Sequence, residues 1–157
     1  MRKNSLTDLL LFVLGVELAG VLSALLSGGS FGEYYAALAK PPLSPPGWVF
    51  PVVWAVLYAL MGISAYLVFT AANEGRKKAL WVYAAQLFVN FLWSPVFFGL
   101  RQIKAAAFVI TVLVLLAAVM TALFGRIRKA ASLLNIPYLI WLLYAAYLNF
   151  GVLFLNI

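Results

Sequence analysis

The sequence contains no cysteine and no histidine. The first absence excludes disulfides, a thiolate nucleophile and a cysteine-held iron–sulfur cluster. The second removes the imidazole that most often serves as general base or metal ligand. Acidic residues are nearly as scarce. Asp8, Glu17, Glu33 and Glu74 are the only four, and their scatter argues against the paired carboxylates of acid–base hydrolysis. No metal site and no conventional catalytic constellation is expected. Chemistry is left to aromatic rings, amides, hydroxyls and shape.

Charge as a whole is also short. Of 157 residues, 10% are charged and 66% hydrophobic, against roughly 25% and 45–50% in an ordinary soluble domain. Mean hydropathy is +1.06. A soluble enzyme, a nucleic-acid-binding protein and a disordered tail are excluded. The excess apolar residues lie in five stretches, approximately 6–27, 48–72, 79–99, 105–125 and 130–155, within which only Asp8 and Glu17 are charged. Crossing a ~30 Å hydrocarbon layer takes about 20 helical residues, so each stretch is long enough to span. The expected fold is all-α. It is a single integral membrane bundle, residues 1–157, of five transmembrane helices, with a long Pro-rich loop over 28–47 between the first two.

The net charge of +7 then belongs to membrane-flanking loops rather than to a phosphate-binding face. One side of the bilayer carries Arg2, Lys3, Arg76, Lys77, Lys78, Arg126, Arg128 and Lys129; the other carries Lys40, Arg101 and Lys104. Positive-inside bias places the N-terminus in the cytoplasm, with the C-terminus and the 28–47 loop outside. The first apolar run is too long for a signal peptide, and the cleavage-like Ala37-Leu38-Ala39 lies well beyond its end. It is read as a retained span. Connections at 73–78, 100–104 and 126–129 are short and force antiparallel neighbours. No internal repeat of an inverted-topology transporter is visible.

The 28–47 loop is the exception to that economy, and long connections are often binding lids. Five of the seven prolines fall between Pro41 and Pro51. Because proline fixes φ and restricts the residue before it, the spacing predicts a stiff extended segment over 41–46, preceded by a short interfacial helix over 33–40. Tyr34, Tyr35 and Trp48 suit either an interfacial aromatic belt or a rigid lid presenting rings to a cavity.

At membrane depth, Gln86, Asn90, Ser94 and Phe97 share one helical face with Trp93 beside it. Tyr138, Trp141, Ala145 and Asn149 form a second stripe, and Trp54 and Tyr58 stand one turn apart. Amides in hydrocarbon must find partners, and such residues are commonly interhelical glue. Three helices each directing Trp or Tyr plus a polar group inward also describe a flat-walled cavity suited to a planar aromatic ligand. Glu17 is the one carboxyl at mid-span, expected as a neutral acid bonded to a hydroxyl or amide. Around it, Gly15/Ala19 and Gly20/Ala24 permit close helix contact. Pro95 and Pro137 are expected to bend the third and fifth spans.

Three segments carry a family resemblance. They are Tyr34-Tyr35-Ala36-Ala37-Leu38-Ala39-Lys40-Pro41 running into Pro45-Pro46-Gly47-Trp48-Val49-Phe50 and Trp54-Ala55-Val56-Leu57-Tyr58; Gln86 through Gly99; and Pro137-Tyr138-Leu139-Ile140-Trp141 with Ala145 and Leu148-Asn149. The chain resembles the tryptophan-rich sensory protein/translocator protein family, also called the peripheral-type benzodiazepine receptor, in its bacterial form. The resemblance implies a receptor of a bacterial cell membrane, usually a homodimer, acting in porphyrin or stress homeostasis. It implies binding of protoporphyrin IX, haem and synthetic isoquinoline-carboxamide or benzodiazepine ligands, with porphyrin as ligand rather than obligatory cofactor. By position, Tyr35, Pro45, Trp54, Tyr58, Asn90, Trp93, Trp141 and Ala145 would line the pocket. The family is also associated with light-dependent porphyrin breakdown, for which Trp54 and Trp141 are the oxidisable rings. Lys40, Arg101 and Lys104 are candidate counter-charges to the propionates. Transport of tetrapyrroles or other small amphipathic molecules is the alternative function.

Two departures stand out. Tyr34-Tyr35 replaces the usual Trp-Tyr, and Pro51 lies one place early relative to Trp54. The animal members' C-terminal cholesterol motif has no counterpart between Leu148 and Ile157, so cholesterol recognition is not expected.

Overall fold

The computed structural model describes residues 5–28 and 31–157, without the side chain of Phe31. Arg2 and Lys3 of the charge argument, and Gly29-Ser30 of the loop, lie outside the described residues.

Among the described residues, five helices are long and apolar enough to cross a membrane. The first, α1 (Leu6–Leu26), starts on Ser5, whose hydroxyl accepts the Thr7 amide at 3.2 Å, satisfying one of the orphan donors of a helix N-terminus. It stops at Gly28, whose φ of +84° is a left-handed conformation that costs glycine nothing. A short α2 (Phe31–Ala37) follows in the loop. Then come α3 (Val49–Phe69), α4 (Arg76–Ser94), α5 (Ile103–Ile127) and α6 (Lys129–Leu155). Pro51 stands in the first turn of α3, where no intrahelical N–H is required.

Each span boundary departs from the apolar run in a way local chemistry explains. Arg76, Lys77 and Lys78 form the first turn of α4 rather than a loop. An Asx turn, with Asn73 Oδ1 accepting from the Gly75 amide at 2.8 Å, starts that helix, while the Arg76 guanidinium donates to the Phe69 and Ala71 carbonyls ending α3. Between α5 and α6 only Arg128 leaves helical geometry, at φ −152° and ψ 112°. Pro95, lacking an N–H, opens one π-helical turn, Pro95–Gly99, that closes with Leu100 N donating to Pro95 O at 2.8 Å. Pro137 sits within a continuous α6.

The helices form a ring in the order α1, α3, α6, α5, α4, closing back on α1. Large apolar side chains such as Leu14, Leu18, Leu115 and Ile140 project outward, which is the arrangement a lipid environment requires. The chain is an integral membrane protein. The seam between α1 and α4 is sparse and rests on hydroxyls: Ser23 Oγ donates to Phe91 O, and Ser27 and Ser94 share a bond, both at 2.7 Å.

The loop closes the end of the bundle where α1, α4 and α6 finish and α3 and α5 begin. Its helix forms over 31–37, but the extended segment expected over 41–46 is broken by a turn at Pro42-Leu43, with Leu43 at φ +66°. Tertiary contacts hold that strained turn in place. Tyr144 and Tyr147 of α6 donate to the carbonyls of Leu43 and Pro42, Ser44 Oγ donates to Pro41 O, and the Pro41 ring lies where a Cβ on Gly151 would fall, 2.4 Å away. Asn156 pairs with the backbone of Ala39 through both amide atoms.

Candidate ligand-binding site

The polar residues of the three inward stripes find one another. Tyr58 Oη donates to Asn90 Oδ1, Asn90 Nδ2 to Tyr138 Oη, and Tyr138 Oη to Gln86 Oε1, each at 2.8 Å. Toward the loop end, Trp93 Nε1 donates to Asn149 Oδ1 at 2.9 Å. Gln86, Tyr138 and Asn149 are almost wholly buried, so the centre of the bundle is filled by this network rather than hollow.

A cavity of about 340 Å³ lies to one side, between α1, α3 and the end of α4. Its aromatic wall is Phe50, Trp54, Tyr58, Trp93 and Phe98; Asn90 and Ser94 add polar atoms, and α1 contributes Glu17, Gly20, Val21, Ser23 and Ala24. Val21, Ala24, Pro51 and Ala55 on its rim are exposed, so the cavity opens sideways toward lipid. The rings are mutually braced. Trp54 stacks on Tyr58 at 5.2 Å, Trp93 on Phe97 at 5.4 Å, and Phe98 meets Trp93 edge-on at 5.9 Å, geometries that aromatic quadrupoles favour. Gly20 is required for this packing: a Cβ there would fall 2.2 Å from the Tyr58 ring.

Of the residues expected to line a pocket, Trp54, Tyr58, Asn90 and Trp93 do so, while Tyr35, Pro45, Trp141 and Ala145 do not border this cavity. Phe50 accounts for the division. Tyr35 at 5.4 Å and Trp141 at 6.0 Å both pack edge-on against its ring, and of the three only Phe50 borders the cavity. Tyr35 in turn donates to Pro45 O at 2.9 Å, which fixes the loop rather than facing a guest. Trp141 lines a separate groove with Val53, Leu57, Ile136, Pro137, Ile140 and Tyr144, and its buried Nε1 has no hydrogen-bond partner. Ala145 is buried in α6.

The candidate counter-charges differ in availability. Lys40 Nζ donates to the carbonyls of Tyr35, Ala36 and Leu38 and sits 5.0 Å from the Tyr35 ring centre; it caps α2, complementing that helix's negative end. Arg101 lies over the Tyr34 ring at 5.1 Å, and Tyr34 packs on Phe97 and Phe98, so this cation is beside the loop end of the cavity. Lys104 is exposed at the start of α5. Burial pushes the Tyr34 phenol above its ordinary range, and Arg101 offsets part of the rise. Burial likewise raises Tyr35, keeping it protonated as the donor to Pro45.

Two contributions were not evident in the sequence. Phe50 and Phe98 carry no polar or periodic mark distinguishing them from other span aromatics. The α1 wall was partly signalled by Gly20 and Ala24, whose small side chains make room for rings as well as for helix contact. Glu17, expected to bond a hydroxyl or amide, makes no hydrogen bond to any described residue and faces the cavity instead. Among the described residues no group of carboxylates stands where it would hold a metal ion.

Comparison with known proteins agrees with this architecture. The TspO/MBR family profile matches residues 12–155. A tryptophan-rich sensory protein of Cereibacter sphaeroides is 44% identical over 124 residues, covering 79% of this chain and 77% of the relative. Protein CrtK of Rhodobacter capsulatus is 38% identical over 154 residues, 97% of this chain and 94% of that one. The translocator protein of Bos taurus is 35% identical over 142 residues, with 88% and 84% covered. With the profile running from within α1 to the end of α6 and relatives of this identity along most of its length, the chain belongs to the TspO/MBR family.

Proposed function

We propose that this protein is a receptor of the bacterial cell membrane, its N-terminus cytoplasmic and its loop outside. In this reading it binds porphyrins, protoporphyrin IX and haem among them, and isoquinoline-carboxamide or benzodiazepine-type ligands, and it acts as a homodimer. The observation that carries the reading is the cavity walled by Trp54, Trp93, Phe50 and Phe98 and floored by the Tyr58–Asn90 pair. Flat π faces stack a macrocycle, and a few directional polar atoms orient it. At about 340 Å³ the volume is near the lower end of the ~300–1,000 Å³ usual for drug-sized ligands. A tetrapyrrole therefore inserts one edge and leaves the rest at the open rim. Its propionates then point to the loop-side interface, within the field of Arg101 and Lys104. Tyr35, Pro45, Trp141 and Ala145 act from behind, holding Phe50 and the loop in place.

The test is titration of purified protein in detergent with protoporphyrin IX, read by tryptophan quenching. Saturation at one porphyrin per chain supports the reading; linear, unsaturable quenching refutes it. Light scattering of the same sample checks the dimer. Light-dependent porphyrin degradation is a second reading, favoured by one arrangement: Trp54, on the wall, stacks on Tyr58 and meets Tyr138 edge-on at 6.2 Å, which lets an oxidised indole share its charge with two phenols. It predicts loss of porphyrin absorbance under illumination in air that Trp54→Phe abolishes. Bleaching at an equal rate in Trp54→Phe removes that reading and leaves the receptor standing.

A further inference from the structure

Glu17 is the one carboxyl among the cavity's lining residues, and ring stacking leaves it without a role. Glu17 stands nine residues from the loop-side end of α1, as Tyr58 does in α3 and Asn90 in the α4 segment, so all three lie level at roughly 13 Å depth. An acid there is normally paired within the protein. Here the hydroxyl donors of the cavity and the Trp93 indole are committed elsewhere, and none of the cavity's donors, the Trp54 indole included, bonds to Glu17. Tyr58 donates to Asn90, Asn90 to Tyr138, Trp93 to Asn149 and Ser23 to Phe91 O. Ser27 donates to Ser23 O, which makes Ser94 the donor in the Ser27–Ser94 bond. The described basic residues stand at helix ends and in loops, and Lys40 is held by three carbonyls.

Glu17 thus presents an unshared acceptor in a cavity that also offers the ring faces of Phe50, Trp54, Tyr58, Trp93 and Phe98. Both features select the same guest. A carboxylate takes a charged N–H donor in a strong, short bond, and π faces attract the cation and stack its flat body. We infer that this site binds planar aromatic amines that are cationic at neutral pH, with the nitrogen on Glu17 and the ring system between Trp54 and Trp93. Glu17 is then a specificity-determining residue. The inference rests on the cavity being the ligand site and goes beyond the ligands proposed above, since it names a further, cationic class and the residue that selects it.

The experiment uses the full chain in detergent and three probes read by tryptophan quenching: 9-aminoacridine, the uncharged 9-methylanthracene of similar shape, and protoporphyrin IX. On the unaltered protein, 9-aminoacridine is expected to displace protoporphyrin IX at a concentration about tenfold lower than 9-methylanthracene needs. Glu17→Gln should erase that advantage, taken as the ratio of the two probes on the same variant, while an unchanged circular dichroism spectrum certifies its fold; Glu17→Asp should retain part of it. Equal displacement by the two probes on the unaltered protein overturns the inference, as does an advantage that survives Glu17→Gln. In either case saturable porphyrin binding leaves the receptor reading intact. If neither protoporphyrin IX nor 9-methylanthracene binds saturably, the cavity reading fails and takes this inference with it.

Discussion

Removing the Tyr138 hydroxyl tests whether the polar centre of the bundle acts as a unit. Tyr138 Oη accepts from Asn90 and donates to Gln86, both at 2.8 Å, in a site with no exposure at either Tyr138 or Gln86. Tyr138→Phe therefore deletes two interhelical bonds. It also strips the Gln86 side chain of its hydrogen-bond partner among the described residues, because Gln86 Nε2 already has none. Interhelical bonds in membranes average ~0.6 kcal/mol each, giving a floor near 1.2 kcal/mol. A buried polar group left bare costs ~1–3 kcal/mol, and the membrane-embedded unfolded state recovers some of that. The expected loss is about 1.5–3 kcal/mol, measured by SDS unfolding of the full chain followed by circular dichroism. The sharper expectation is non-additivity. Adding Gln86→Leu to Tyr138→Phe replaces both partners by apolar groups, so the double variant should be more stable than Tyr138→Phe alone by about 1 kcal/mol. A double variant that loses the full sum of the single losses refutes the reasoning. Porphyrin affinity should change by less than about threefold in Tyr138→Phe, since Tyr138 does not border the cavity.

Other outcomes follow from single contacts. Gly20→Ala forces the Tyr58 ring away from a Cβ that would fall 2.2 Å from it, and should weaken protoporphyrin IX binding by about fivefold or more, read by quenching. Tyr144→Phe together with Tyr147→Phe removes both α6 tethers on the loop and should speed amide exchange over residues 38–47 without unfolding the spans, as hydrogen-exchange mass spectrometry would record. Tyr35 has a raised pKa in the fold, so the folded form binds its proton more tightly than the unfolded one. The stabilisation is complete below the ordinary phenol value of ~10 and is lost as pH rises through the folded value. Loop exchange should therefore be insensitive to protonation from neutral pH to about 9 and increase above 10, once the intrinsic pH dependence of exchange is subtracted. Finally, the cavity wall includes no Met, His or Cys, leaving Tyr58 as the one wall residue of a type that ligates haem iron; metal-free porphyrin and haem should bind within about threefold of each other.

The spans were legible because hydrocarbon admits little else: with 66% hydrophobic residues, five apolar runs of the right length leave helices as the solution that satisfies the backbone. The inward faces were legible for the same reason, since Asn90, Trp93, Tyr138 and Asn149 must find partners, and they found one another. Sequence periodicity does not say whether residues that converge enclose a space or fill it. Here Tyr138 and the amides fill it, and the cavity is displaced toward the sparse α1–α4 seam. Periodicity assigns a helix face, but not which residue of a packed cluster reaches a cavity, so spacing could not separate Trp141 and Tyr35 from Phe50, on which both pack and which alone borders the cavity. The turn at Leu43 escaped because proline content predicts extension, whereas tyrosine tethers from α6, a hundred residues away, decide the backbone there.

The position of Phe50 gives the most direct test of where the ligand sits. Protoporphyrin IX titrations of Trp54→Phe and Trp141→Phe, compared with the parent protein, separate a residue on the cavity wall from one a layer behind it. Affinity should fall about fivefold or more in Trp54→Phe and stay within about twofold in Trp141→Phe. Full affinity in Trp54→Phe, with the loss appearing in Trp141→Phe, would place the ligand in the α3–α6 groove and contradict the account.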